Sequence, residues 1–351
     1  MKSKIPEKLK KKLLSEKEGI SLFEYINYCL YDEKDGYYQN LFKVNHDFTT
    51  SPEISQLFGE CIAIFLLFTK NIFEQKYCKK LTSIMEFGPG NGTLMHDIIR
   101  IIRKKHSLKK WNFTLIEISK YLVEKQKALL SNFKTETNIY WSKNFAHSSS
   151  DCCFYLCNEF FDALPFNQYS INGKKKIIMK ENKLKPIFSK DHSLYSFEND
   201  NEIIEDSILI KKILFKIFGK IKKNGGIFLM FDYGPFLKSK NDTIQAIYNR
   251  KKCHFLDHPC KSDITHHVDF KLFEKIGNKF NLHIYGPISQ SKFLSIFGIN
   301  ERIEILLKNT TELAQKEEIE KGFTRLTSLK EMGEIFKCMI FSNIELELPF
   351  K

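Results

Sequence analysis

The stretch MEFGPGNGTL, residues 85–94, constrains this chain more than any other. An apolar run, LTSIMEF, meets three glycines alternating with Pro89 and Asn91, and a helical pattern starts at residue 92. Residues without a Cβ take positive φ and leave space beside the backbone, so a strand-to-helix turn of this composition suits close approach by a ligand. It is not a phosphate cradle of the Walker type, because Thr93 and Leu94 follow Gly92 where lysine and a hydroxyl residue would have to reach phosphate and magnesium. The dinucleotide fingerprint G-x-G-x-x-G is not met either. Gly88, Gly90 and Gly92 run as G-x-G-x-G, which weakens NAD or FAD without excluding them.

The pattern around that turn is α/β. Short apolar runs at 81–87, 112–118, 138–141, 152–158 and 226–233 read as strands buried on both faces, with helical stretches at 92–106, 119–133 and 203–222 between most of them. Such alternation predicts a mostly parallel, doubly wound sheet. LHIYGPI and IFKCMIFS near the C-terminus supply two more strands. Residues 1–70 read as a helical N-terminal extension with a long polar loop, and 71–351 as the sheet domain, interrupted at about 166–200 and 236–300. In the first interruption Asn172-Gly173 predicts a type I′ hairpin turn.

A formal charge of +13 suggests nucleic acid or an anionic surface at first. Arginine occurs only at Arg100, Arg103, Arg250, Arg302 and Arg325, however, whereas lysine is spread along the whole chain. Base readout leans on arginine and phosphate contact on clustered charge, so no nucleic-acid partner is expected. Nine irregularly spaced cysteines without a secretory apolar region predict a reducing compartment. The lysine-biased N-terminus is unlike a transit segment, which favours a cytoplasmic location, with the mitochondrial matrix as the alternative for a eukaryotic source. Apolar runs such as CIAIFLLF fall short of a bilayer, so no membrane span is expected.

In a doubly wound sheet ligands sit at the carboxyl ends of the strands. Glu86 and the glycine turn arrive there from one strand. Glu117 arrives from the next, placed to hydrogen-bond the two hydroxyls of a ribose. A nucleoside pocket with acids and no phosphate ligands fits S-adenosylmethionine, cationic at sulfur and free of phosphate. The strand at 152–158 leads into NEFFDALPFNQY, where Asn158, Glu159 and Asp162 are the candidates for holding a methyl acceptor. Carboxylates there suit a cationic acceptor such as a guanidinium, which they can pair with in bidentate fashion. Cys253, His254, Asp257, His258, Cys260, His266 and His267 invite a zinc reading, but their spacing matches no standard finger and no metal is expected. Asp269 is expected instead to cap the following helix.

These pieces, with LYDEKDGYY, HDFTTSPEISQLFGE, EFGPGNGTLMHDIIR, FDYG, IQAIYNRKK, DITHHVDF and SQSKFLSIFGINER in order along the chain, resemble the MidA family of S-adenosylmethionine-dependent methyltransferases. That family includes a mitochondrial complex I assembly factor that methylates an arginine. The resemblance implies a Rossmann-like class I methyltransferase core and a protein substrate, with a respiratory complex I subunit and symmetric dimethylation as its narrowest form; homodimerisation is left open. It implies a cofactor pocket of Glu86, Gly88, Gly90, Gly92 and Glu117 joined by Thr50, Ser51 and Pro52. It also implies an acceptor site of Asn158, Glu159 and Asp162, with His267, Thr265, Asp232 and Tyr233 matching later motifs. His46, Asp242 and Cys260 stand where the family usually has glycine, which bears on turnover more than on cofactor binding. The competing readings are a non-catalytic assembly factor that uses the cofactor structurally, and a small-molecule methyltransferase.

Overall fold

The computed structural model describes residues 3–40, 49–145, 152–190, 195–237 and 240–350; His46 lies outside them. The chain forms two compact units. One comprises residues 49–160, 214–236 and 269–351, and the other 1–48, 161–213 and 237–268. The chain changes unit at residue 49, within the stretch 1–70 read from composition as the N-terminal extension, and both interruptions contribute to the second unit.

The first unit is built on a seven-stranded sheet: β1 (Ser83–Phe87), β2 (Asn112–Ile116), β3 (Asn138–Ser142), β4 (Cys153–Asn158), β5 (Gly226–Tyr233), β6 (His283–Ser289) and β7 (Phe336–Ser342). Their spatial order is β6-β7-β5-β4-β1-β2-β3. Pairs β5/β4, β4/β1, β1/β2 and β2/β3 are parallel, and β7 alone runs against its neighbours β5 and β6. Strand order reverses between β1 and β4, which is where a doubly wound sheet opens a ligand crevice. All residues of β1 and β4 are buried, the reason they read as continuous apolar runs.

Three helices position the ligand end of this sheet: α1 (Gln56–Tyr77), α2 (Thr93–Lys105) and α3 (Lys120–Leu129). By length and composition α1 could cross a membrane. Its Leu57, Phe58, Cys61, Ile62, Phe65 and Leu66 are instead part of the buried core of the unit, with Ile98, Ile99, Phe154 and Leu156. α1 packs tightly on α2 because Gly59 lies against Asp97, where a Cβ would come within 2.6 Å of the Asp97 Cβ. Beside that contact Glu60, 1% exposed, accepts from Arg100 (2.8 Å) and pairs with Arg302 as well.

The second unit holds helices Glu7–Ser15 and Leu22–Tyr31 and two small antiparallel sheets. Strands Asn167–Ser170 and Gly173–Lys180 form the hairpin expected in the first interruption, but its loop is Ile171-Asn172, since Ser170 pairs with Gly173. The positive φ falls on Gly173 (+109°), as the first residue of the second strand. Turns with φ positive at both loop residues occur instead at Glu181-Asn182 and Asn249-Arg250. The stretch 236–269, polar and irregular in sequence, carries the three short strands Gln245–Tyr248, Lys251–Cys253 and Asp263–Thr265. Runs of three or four residues are too short to show a period.

Replacing Glu60 by alanine would leave two partly buried guanidinium groups without their shared carboxylate, and is expected to cost about 3 kcal/mol of stability in urea unfolding. A loss below about 0.5 kcal/mol would show that solvent compensates the pair.

Candidate functional site

β1 ends at Phe87 and the chain turns through Gly88, Gly90 and Gly92 at φ +61°, +54° and +86°. Each of the three glycines meets a different environment. A Cβ at Gly88 would lie 2.8 Å from the Phe160 ring, and one at Gly92 would lie 3.1 Å from Cγ of Gln126, so both are needed for packing. A Cβ at Gly90 would meet nothing within 4 Å among the described residues. Gly90 is the position at which the turn leaves room for a ligand.

Two carboxylates flank the turn. Glu86, 2% exposed, is pushed from 4.5 up to about 8, first by burial and then by the nearby charge of Glu117, and its Oε2 is buried without a hydrogen-bond partner among the described residues. Glu117 follows β2 and is pushed up to about 7 by burial, against backbone hydrogen bonds that lower it. Its Oε1 accepts from the Ser119 N–H (2.7 Å) and its Oε2 from Nε2 of Gln126 (3.4 Å). Gln126, on α3 and fully buried, was not among the sequence candidates. The available signal was spacing: Gln126 sits four residues after the buried Leu122, on the face of α3 that turns inward.

The segment 50–53 reaches this turn through a residue that sequence reasoning did not single out. Glu53 accepts from Nδ2 of Asn91. Thr50 is the N-cap of the short helix Ser51–Ile54, and Pro52 is buried within it. The Ser51 hydroxyl donates to Gln290 (3.1 Å), while its N–H donates to Oε1 of Glu159 (3.1 Å).

Glu159 follows β4 in the left-handed region, at φ +50°, where a residue with a side chain is held only by its surroundings. Its own N–H donates to the Phe231 carbonyl of β5 (2.9 Å). Asn158 Nδ2 donates to the same Glu159 Oε1 (2.9 Å) that Ser51 uses. Among the described residues, no hydrogen bond falls on Oε2 of Glu159, and the buried Oδ1 of Asn158 has no partner. Burial, with Asp232 and Glu53 adding to it, pushes the Glu159 carboxyl up to about 7. Asp232, on β5, is itself fully buried and accepts the Tyr233 N–H (2.9 Å).

The remaining candidates lie in the second unit. Asp162 is buried, and its carbonyl accepts the His266 N–H (3.0 Å). Thr265 pairs with Gln245 in the three-stranded sheet. The His267 N–H donates to the Thr243 hydroxyl (2.9 Å), and its ring reaches Gln245 (3.3 Å). Asp242 binds Gln168 (2.7 Å) and Lys175 (2.9 Å) there, and Cys260 takes φ +63°, a conformation that favours glycine. In the first unit, Asp269 caps the helix Phe270–Lys279 through the N–H groups of Lys271 and Leu272. His258 stacks on Tyr248 at 4.0 Å and His266 lies against Phe166; among the described residues no three His, Cys, Asp or Glu side chains are grouped to hold a metal.

A bare turn with an open Gly90, a buried acid with one oxygen unpartnered among the described residues and a second acid at the adjacent strand end fits a cationic nucleoside without phosphate. The comparisons agree with that chemistry. The profile of the family described as "Putative S-adenosyl-L-methionine-dependent methyltransferase" matches residues 61–288. The chain is 29% identical over 372 residues to the Drosophila melanogaster homologue of protein arginine methyltransferase NDUFAF7, covering 95% of this chain and 84% of that one. It is 28% identical to Homo sapiens protein arginine methyltransferase NDUFAF7, over 90% and 78% of the two chains, and both relatives are labelled mitochondrial. Among solved structures, a Burkholderia thailandensis protein bound to S-adenosyl-homocysteine has the same fold, with TM-score 0.78 at 19% identity over 96% of this chain and 91% of that one. With well over half of its length matched by the profile, the chain belongs to this family of S-adenosyl-L-methionine-dependent methyltransferases.

Proposed function

We propose that the protein methylates a guanidinium nitrogen of an arginine in another protein. The observation that carries this reading is Glu159: a carboxylate at the end of β4, fixed through one oxygen by Ser51 and Asn158, with the other oxygen left for a ligand. Two relatives that bear the name protein arginine methyltransferase support it. S-adenosylmethionine, when bound, supplies an electrophilic methyl group on a sulfonium centre. Glu117 would accept from the ribose hydroxyls, Glu86 would favour the cationic methionyl portion, and the space at Gly90 would admit the cofactor against the backbone.

At the acceptor, Oε2 of Glu159 and Oδ1 of Asn158 would accept N–H groups of the guanidinium, orienting it and offsetting the repulsion between two cations. A guanidinium keeps its proton at neutral pH, its pKa being about 12 or above, so that proton leaves with or after methyl transfer. Oε2 of Glu159 is suited to receive it. Asp162 and His267, which the family resemblance adds to the acceptor motif, are proposed to act on the acceptor protein. The family resemblance suggests a respiratory complex I subunit as that protein. The mitochondrial labels of the relatives favour the matrix over the cytoplasmic location read from the N-terminus.

Glu159→Gln keeps the shape and removes the charge. It is expected to lower methyl transfer to an arginine-containing acceptor by at least about a hundredfold while changing S-adenosylmethionine affinity less than threefold. Unchanged turnover in Glu159→Gln combined with Asp162→Asn would sink the arginine reading.

Gly90→Val places a β-branched side chain at positive φ, with local strain of about 1–2 kcal/mol, in space that no described residue fills. The variant should stay folded by circular dichroism and lose calorimetric binding of S-adenosylmethionine.

Proton linkage gives a further check. Folded Glu86 and Glu117 keep protons that the unfolded chain loses above its carboxyl pKa of 4.5, so their contribution to stability is present below that pH and is lost as pH rises through about 7 to about 8. A cationic ligand favours the ionised pair. Binding of S-adenosylmethionine at pH 6.5 should therefore release protons, seen as a dependence of the binding enthalpy on the buffer, and should tighten as pH rises to 8.5. Proton uptake would contradict the placement of the cation beside these acids.

A further inference from the structure

The structure assigns to Gln126 the role of a positioning residue that ties the ribose-binding acid to the glycine turn and thereby sets the preference for a ribose diol. This deepens the cofactor placement above and rests on it. The two N–H groups of one amide are directed to two parts of the pocket: Nε2 lies 2.7 Å from the Gly90 carbonyl and 3.4 Å from Oε2 of Glu117. Oε1 of the same side chain accepts from Nε1 of Trp141, 3.0 Å away on β3, which fixes which end of the amide is which. The stem of Gln126 packs against Gly92, where a Cβ would lie 3.1 Å from its Cγ and 3.5 Å from its Cβ. A fully buried amide with all three of these contacts is locked in one orientation.

The consequence for Glu117 is geometric. Its Oε1 takes the Ser119 N–H, its Oε2 takes the Gln126 amide, and the Ile118 N–H bonds the same carboxylate, so the carboxylate plane is held at both oxygens. Without the amide, Oε2 loses its side-chain donor, and the carboxylate is freer to turn and serve one hydroxyl as well as two. Gln126 touches no reacting atom in this scheme; it acts through Glu117 and through the Gly90 carbonyl.

The test measures affinities of the purified protein for S-adenosyl-homocysteine and for its 2′-deoxyribose analogue by calorimetry. In the unsubstituted protein the ribose form should bind at least about tenfold more tightly, as expected for a hydroxyl paired with a charged acceptor. Gln126→Met, similar in size and without donors, should reduce that ratio to less than about threefold, and should shift the emission of Trp141, one of two tryptophans. In a Glu117→Gln background the same substitution should change the ratio no further. A merely structural role would weaken both ligands equally and leave the ratio intact, which would overturn the assignment. If Gln126→Met fails to fold, Trp141→Phe, which frees the acceptor end of the amide, should still lower the ratio, and an unchanged ratio there would overturn it as well. Failure of the cofactor placement itself is distinguishable: Glu117→Ala would then leave S-adenosyl-homocysteine affinity unchanged, whatever Gln126 does.

Discussion

The ligand end of the sheet depends on carboxylates taken out of water at the ends of neighbouring strands. Glu86 at the end of β1 and Glu117 just beyond β2 are both nearly inaccessible, and burial raises the cost of ionising each of them, with the charge of Glu117 adding to it at Glu86. A fold that served stability alone would put apolar side chains there, because an unpaired buried carboxyl contributes nothing to packing and loses its hydration. The arrangement becomes favourable when a cation with hydroxyl donors arrives. In the cofactor placement proposed above, burial that weakens the protein by itself would be the source of affinity for S-adenosylmethionine.

The same logic applies at Glu159, with a backbone component added. A side-chain-bearing residue in the left-handed region persists only where its neighbours determine it. Here the Phe231 carbonyl takes its N–H, and Ser51 and Asn158 take one carboxylate oxygen. The segment that supplies Ser51 also supplies Glu53, the partner of Asn91 in the glycine turn. One short helix, Ser51–Ile54, therefore bonds both to the turn and to the carboxylate after β4. Its position depends in turn on the rigid stack of α1, α2 and the sheet beneath it.

Three carboxyls with pKa values near neutrality, each displaced chiefly by desolvation, lie in this one unit. Their common cause matters for function. A carboxyl displaced by burial responds to any ligand that brings compensating charge, whereas one held by a salt bridge does not. Gln126 and the backbone N–H groups around Glu117 limit that response to one orientation, since they hold the acid while its charge changes.

By itself the amino-acid sequence determined the sheet and the turn. Strands buried on both faces are continuous apolar runs of the right length, and the glycines of residues 88–92 are required wherever the chain must turn without a Cβ; both are local properties. Glu86, Glu117 and Glu159 were legible because they sit at the ends of such runs. Only the tertiary structure decided what surrounds them. Gln126 looks like any polar helical residue until α3 is packed, the Glu53–Asn91 contact joins positions far apart in the chain, and the short strands of 245–265 carry no period of their own. The hairpin at 170–173 makes the same point in reverse: the dipeptide Asn172-Gly173 predicts a turn, but the pairing of Ser170 with Gly173 sets its register, and register is fixed by the partner strand. Likewise the division of the chain into units follows from which surfaces bury one another, and that is not a property of any segment taken alone.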